Sequence, residues 1–255
     1  MTKTKGKITV EDFVEETDKL LEIAYSNKEN QKENQSRAVL KKLLGYIEKV
    51  NFREYTGIKG NEKLKRQHFL VSIIEILIKI AQENGFSLCR KYEMVYVYNG
   101  EFWQFVERSE FEYFLGLVAQ KMQMDRFTAK FHAFKSELYK QFISDARLEE
   151  IPTDQKTTVI NLSNGTFEIS PFKQILRSWK KEDFLTYQLP FAYDKASVAP
   201  QFQEYLDRVL PEQELQNILA EYLGYIFIKN NVLKLEKVLL AYGTGANGKS
   251  VLFEI

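Results

Sequence analysis

A chain of 255 residues, 44% hydrophobic and 28% charged, has the length and composition of a globular protein with one or two ordinary cores. Its 36 basic and 35 acidic side chains nearly cancel, which excludes a global electrostatic pull toward nucleic acid and restricts any DNA surface to a local patch. The single Cys89 excludes an internal disulfide framework and a Cys-cluster zinc site, and with only His68 and His132 beside it a His/Cys metal constellation is disfavoured too.

The N-terminus, MTKTKGKITVEDF, lacks the apolar core of a signal peptide. The longest apolar run, residues 69–81, is broken by Ser72, Glu75 and Lys79 and is too short to span a bilayer, so a cytoplasmic protein is expected. After a lysine-bearing tail, Thr9 can cap a helix in which Phe13, Val14, Leu20, Leu21 and Ala24 recur at helical spacing. Residues 26–37 hold no apolar residue and read as a solvated linker or an exposed helical stretch. Apolar periodicity then predicts a helix over 38–50, a loop over 51–61, and a longer helix over 62–83 that Gly85 is placed to end. Residues 1–85 thus read as a helical module that declares no chemistry.

From Phe86 the pattern changes, and residues 86–231 read as an α+β domain. Met94–Tyr98 and Glu101–Val106 flank Asn99-Gly100, a strong hairpin signal. Tyr96 and Trp103 should share one face of that ribbon, with Val97 and Phe102 on the other. Rings there read chiefly as a cross-strand pair packed on neighbouring helices, stacking on unpaired bases being the second possibility. Ser109 with Glu112 forms a capping box for a helix to Met122, and a further helix is expected over 127–146, with Phe131, Phe134, Leu138 and Phe142 on its buried side. A second hairpin is expected over 157–169, turning at Ser163-Asn164-Gly165. Pro171, Pro190 and Pro200 punctuate a looping region with short elements between them, and helices resume over 201–210 and 212–229, the latter lined by Leu215, Ile218, Leu219, Tyr222, Leu223 and Ile226.

Residues 232–255 differ again. Val238–Tyr242 is apolar on both faces, as a central parallel strand must be, and it leads into Gly243-Thr244-Gly245-Ala246-Asn247-Gly248-Lys249-Ser250 and then an apolar helix start. That is the strand, glycine loop, helix order of a phosphate-binding P-loop. Glycines at 243, 245 and 248 free the backbone to turn its N–H groups onto a phosphate chain, Lys249 would reach the β and γ phosphates, and Ser250 would offer its hydroxyl to Mg²⁺.

The text LLAYGTGANGKSVL at 239–252 resembles the Walker A of phage and plasmid primase–helicases, superfamily 3 enzymes related to the poxvirus nucleoside triphosphatase. Upstream, NLSNGTFEI at 161–169, FLTYQLPFAYDKASVAPQFQEYL at 184–206 and LAEYLGYIF at 219–227 follow the order of the domain ahead of the ATPase in that family, so the resemblance covers residues 90–255. It implies ATP and Mg²⁺ as cofactors, an AAA+ ring, hexameric in the family, and single-stranded or forked DNA as partner. Two departures accompany it. No Asp-x-Asp occurs anywhere, so primase activity is not expected. Hydrolysis also needs an acidic Walker B and a neighbour's arginine, which the family places after the P-loop and this chain does not contain. The expected fold is therefore α+β, mostly helical with two β-hairpins, closing on the start of a truncated AAA+ domain. The expected function is the front portion of a replicative helicase, with negligible ATP turnover by the chain as it stands.

For DNA contact, the densest basic cluster is Arg177, Lys180 and Lys181 around Trp179, with phosphate contact by the cations and stacking by the ring. A second patch, Lys59, Lys63, Lys65 and Arg66, opens the long helix. Either is open to the plainer reading of solvated surface. The other function classes are a non-enzymatic DNA-binding or oligomerisation module whose P-loop is vestigial, and a small-molecule kinase, which the position of the loop behind nearly the whole chain disfavours.

Overall fold

Val39, Leu40, Leu43 and Ile47 recur at helical spacing and all four are buried, the first three on one side of helix α1, residues 35–46, and Ile47 just beyond its end. The computed structural model describes residues 35–60, 62–148, 157–228, 233–243 and 248–254. The helix expected from Thr9 and most of the polar stretch 26–37 lie outside them. Chain contacts divide the protein into two compact units, one of residues up to 150 with 184–187, the other of 151–183 with 188–255. These units cut across the boundary expected at residue 85.

In the first unit, a short helix α2 (Phe52–Thr56) interrupts the expected loop, capped by the Asn51 carboxamide at one end and by Gly57 at φ 67° at the other. Helix α3 (Arg66–Glu83) starts four residues later than its apolar pattern suggests. The carbonyls of Gly60 and Glu62 accept from the Arg53 guanidinium at 3.0 Å each, which ties down the chain ahead of the helix. Gly85, at φ 78°, ends α3 as expected.

The first hairpin is a three-stranded antiparallel sheet, β1 (Ser87–Lys91), β2 (Met94–Tyr98) and β3 (Trp103–Val106) in that order. Strand β1 was not expected. It joins β2 through Tyr92-Glu93, both with positive φ, a turn whose twist suits a hairpin but whose residues carry no glycine or asparagine signal. At the second turn Asn99 Oδ1 accepts from the N–H groups of Glu101 and Phe102, so Phe102 lies in the turn rather than on a face.

Helix α4 (Arg108–Lys121) is capped by Glu107, not Ser109. The Glu107 carboxylate accepts from the backbone of Ser109 at 2.7 Å and of Glu110 at 3.2 Å, and the Ser109 hydroxyl donates to it as well. The single helix expected over 127–146 is two, α5 (Arg126–Lys130) and α6 (His132–Asp145), parted at Phe131, where ψ is 128°. That break turns Phe131 outward, half exposed instead of buried. Phe134, Leu138 and Phe142 are buried as the pattern predicts, and together with Ile73, Ile74, Leu77, Phe111 and Leu115 they form a single core under Val95, Val97 and Val106 of the sheet.

The other face of this sheet holds Cys89, Tyr98 and Trp103. Tyr96 and Trp103 share that face, as expected. Their cover is the segment 184–187 rather than a helix: Phe184 stands 5.5 Å from the Trp103 ring and 5.0 Å from Tyr96, and the Trp103 backbone N–H donates to the Leu185 carbonyl.

In the second unit the expected hairpin is again a three-stranded antiparallel sheet, β4 (Thr158–Leu162), β5 (Gly165–Ser170) and β6 (Lys173–Arg177). Strand β6 is a short element between Pro171 and Pro190, in the region where short elements without an assigned type were expected. Gly165 is required where it stands, because a Cβ there would lie 2.5 Å from the Arg177 carbonyl oxygen and φ is 147°. Helices α7 (Pro200–Val209) and α8 (Gln213–Tyr225) follow. Buried Gln216 links them, donating to Asp207 at 3.0 Å and to the Leu210 carbonyl at 2.9 Å.

Two expectations fail in this unit. On α8 only Leu219 of the predicted lining is fully buried; Tyr222 and Leu223 are half-buried, and Leu215 and Ile218, with Ile226 just beyond, are exposed. Residues 238–242 form no strand, and Val238, Leu240 and Tyr242 are almost fully exposed. A parallel strand exists only through bonds to its neighbours, and no strand among the described residues adjoins this one. The described chain is thus α+β with two small sheets, without a parallel P-loop sheet. No helix among the described residues is long and apolar enough to cross a membrane.

Candidate functional site

The glycine-loop motif ends on a local arrangement that its composition explains. Thr244, Gly245, Ala246 and Asn247 lie outside the described residues, while Gly243 and residues 248–254 lie within them. Gly248 has φ 83°, a left-handed conformation that side chains with a Cβ avoid. Helix α9 (Lys249–Glu254) begins at once, with the Gly248 carbonyl accepting from the Val251 N–H at 3.0 Å.

Helix α7 fixes this junction. Tyr205 donates its hydroxyl to the Gly248 carbonyl at 2.8 Å, and a Cβ at position 248 would stand 2.8 Å from Val209 Cγ1. Neither Tyr205 nor Val209 was singled out from the sequence, although Tyr205 belongs to the stretch that carries the family resemblance. Ser250 is exposed on the first turn of α9. A glycine in left-handed backbone thus stands directly ahead of a helix, a turn that the exit of a phosphate loop also makes.

The basic cluster at the end of β6 is not uniform. Arg177 makes a bidentate pair with Asp183 at 2.8 Å for both bonds and a further bond from Nε to Glu168 at 2.7 Å. Asp183 first, and Glu168 after it, hold the guanidinium charged above the ordinary arginine range. Its charge is matched within the unit. Trp179 is half-buried and donates its indole N–H to the Leu162 carbonyl at 3.2 Å. Lys180 is exposed, and Lys181 opens a short 3₁₀ turn, Lys181–Asp183, that presents Asp183 to Arg177. The structure therefore brings the cluster together as a braced turn with Lys180 on its outer side.

In the other patch, Lys59, Lys63, Lys65 and Arg66 are all exposed. Arg66 pairs through Nε with Glu137 and lies over the Phe134 ring at 5.4 Å. Glu149-Glu150 lies outside the described residues. Cys89 is buried, and burial pushes its thiol up to about 12, Lys91 working weakly against it, so it is no nucleophile near neutral pH. His68 Nδ1 accepts from the Lys65 backbone at the start of α3. Among the described residues no group of three or more His, Cys, Asp and Glu could hold a metal ion.

Residues 74–211 match the family described as D5 N terminal like. That span runs from within α3 through both sheets to the end of α7. No curated protein matches the chain. More than half of the 255 residues lie inside the family match, and the chain belongs to the D5 N-terminal-like family, whose domain is found in phage and plasmid primase–helicase proteins.

Proposed function

We propose that the chain is the N-terminal part of an ATP-dependent replicative DNA helicase of a phage, plasmid or other mobile element, of the superfamily 3 type and cytoplasmic. One observation carries the reading: the D5 N-terminal-like region, residues 74–211, precedes the GTGANGKS sequence at 243–250, with helix α8 between them. In that order the domain precedes a nucleotide-binding motor. The motor when loaded with ATP and Mg²⁺ supplies phosphoryl transfer to water, in a ring of subunits on single-stranded or forked DNA. The backbone of Gly243–Gly248 and the Lys249 ammonium would hold the phosphates, and Ser250 the Mg²⁺. Tyr205 and Val209 support the reading from below, because they fix the glycine at the loop's exit. In the DNA contact proposed for Arg177, Trp179, Lys180 and Lys181, Arg177 braces the turn through Asp183 and Glu168, and the two lysines meet phosphate.

The second reading, a binding or oligomerisation module with a vestigial P-loop, is favoured by one observation, the absence of a strand at 238–242. The source gene read past codon 255 separates the two. A frame that continues through an acidic strand end and a later arginine, and whose whole product hydrolyses ATP with Mg²⁺ until Lys249→Ala abolishes it, supports the helicase. A stop codon at 256 overturns it in favour of the module.

A further inference from the structure

We propose that the first unit carries a contact surface for single-stranded nucleic acid where the start of α3 meets α5, with Phe127 and Phe131 as stacking rings and Arg66 and Lys130 as phosphate contacts. This rests on the reading of the chain as a DNA-handling protein, but it names a surface separate from the turn at 177–181.

Four of these residues, with Thr128, line an open depression of about 490 Å³. Phe127 is 82% exposed and Phe131 50%. A ring left so far in water adds little to the core, and outside the depression Phe131 meets the His132 ring at 4.7 Å. Helix α5 is anchored instead by buried Ala129 and by the Asp125 carboxylate, which accepts from the Thr128 N–H at 2.8 Å and its hydroxyl at 2.9 Å. That cap presents the two rings, four residues apart, on a fixed turn. The cation is fixed as well. Arg66 is held by Glu137 and the Phe134 face, and the exposed Lys63 and Lys65 precede it.

The Glu137 carboxylate is matched by Arg66, while Asp125 stays charged as it accepts from the neutral Thr128 N–H and hydroxyl. The two rings stand beside the Arg66 and Lys130 cations in the depression. Duplex DNA presents phosphates but no open base faces, whereas a single strand offers both. A peptide helix would ask for a continuous apolar groove, and here cations interrupt the rings.

The test is fluorescence anisotropy of the full chain with a labelled oligothymidylate of about 20 nucleotides, longer than the roughly 4–16 nucleotides of one aromatic-lined site. Phe127→Ala and Phe131→Ala should each weaken binding about tenfold, since a stacked base contributes that order of affinity. Lys130→Gln should lower the slope of log affinity against log salt by about 0.7. Both rings are exposed, so an unchanged circular dichroism spectrum is expected and separates lost contact from lost fold. Binding that survives both phenylalanine changes and falls with Lys180→Gln and Lys181→Gln overturns this surface while leaving the DNA reading intact. Equal affinity for duplex, or binding of phosphatidylserine vesicles without any oligonucleotide binding, overturns both the surface and its assignment to single strands.

Discussion

Helices α3 and α8 carry comparable apolar stripes and meet different ends. In the first unit Ile73, Ile74 and Leu77 of α3 are wholly buried against α6 and the sheet, whereas in the second unit Leu215 and Ile218 of α8 are 40% and 56% exposed and only Leu219 is covered. Apolar periodicity states which face a helix would bury. It does not supply the element that buries it. The first unit provides that element from its own strands and helices, and the second leaves its stripe, and Val238 to Tyr242 beyond it, facing solvent.

The widest expected contrast comes from truncating the same residue type in the two stripes. Leu77→Ala should cost about 3–4 kcal/mol in chemical denaturation, because it opens a cavity in a closed core, while Leu215→Ala should stay within about 0.5 kcal/mol. Equal losses would mean that α8 is covered in solution. Within the second unit, Arg177→Ala should cost about 2 kcal/mol, less than a fully buried pair, because it strands the Asp183 and Glu168 carboxylates at a site that water still reaches in part. A thermal transition shifted by less than the measurement error would show that the braced turn adds nothing to the sheet.

The next effect is a gain. Replacing Tyr92-Glu93 with Asn-Gly should stabilise the first unit by about 1 kcal/mol, since both residues hold positive φ that the new pair adopts freely. A loss instead would show that the Arg90–Glu93 pair outweighs the backbone strain. The smallest effect is in pH. The Ser109 hydroxyl and backbone N–H groups hold the Glu107 carboxylate below its usual range, and Thr128 does the same for Asp125. A group depressed in the folded state stabilises above its unfolded value and loses that contribution as pH falls through the folded one. The melting temperature of the first unit should therefore fall on acidification, and Glu107→Gln should flatten the fall. An unchanged slope would place the acid sensitivity elsewhere.

Much of the secondary structure was legible. The helices at 66–83, 108–121, 200–209 and 213–225 fall within a few residues of their apolar patterns, and both hairpins occur where Asn99-Gly100 and Asn164-Gly165 signal them. Strands β1 and β6 were not legible for local reasons. Tyr92-Glu93 hides a tight turn, and β6 is an edge strand between Pro171 and a basic run, with little of its surface buried. Phe131 was misplaced because periodicity runs straight through a break of a single residue.

For the site, the sequence alone carried the GTGANGKS run at 243–250, with a glycine where the backbone is left-handed at 248, and the cationic clusters, because these are properties of residue type and spacing. Tertiary structure alone decided that Tyr205 and Val209 close on Gly248, that Arg177 spends its charge on Asp183 and Glu168, and that Arg66 lies beside two exposed phenylalanines. Each of these joins residues distant in the chain or sets which side of a helix faces water, and no local pattern records what packs on the far side.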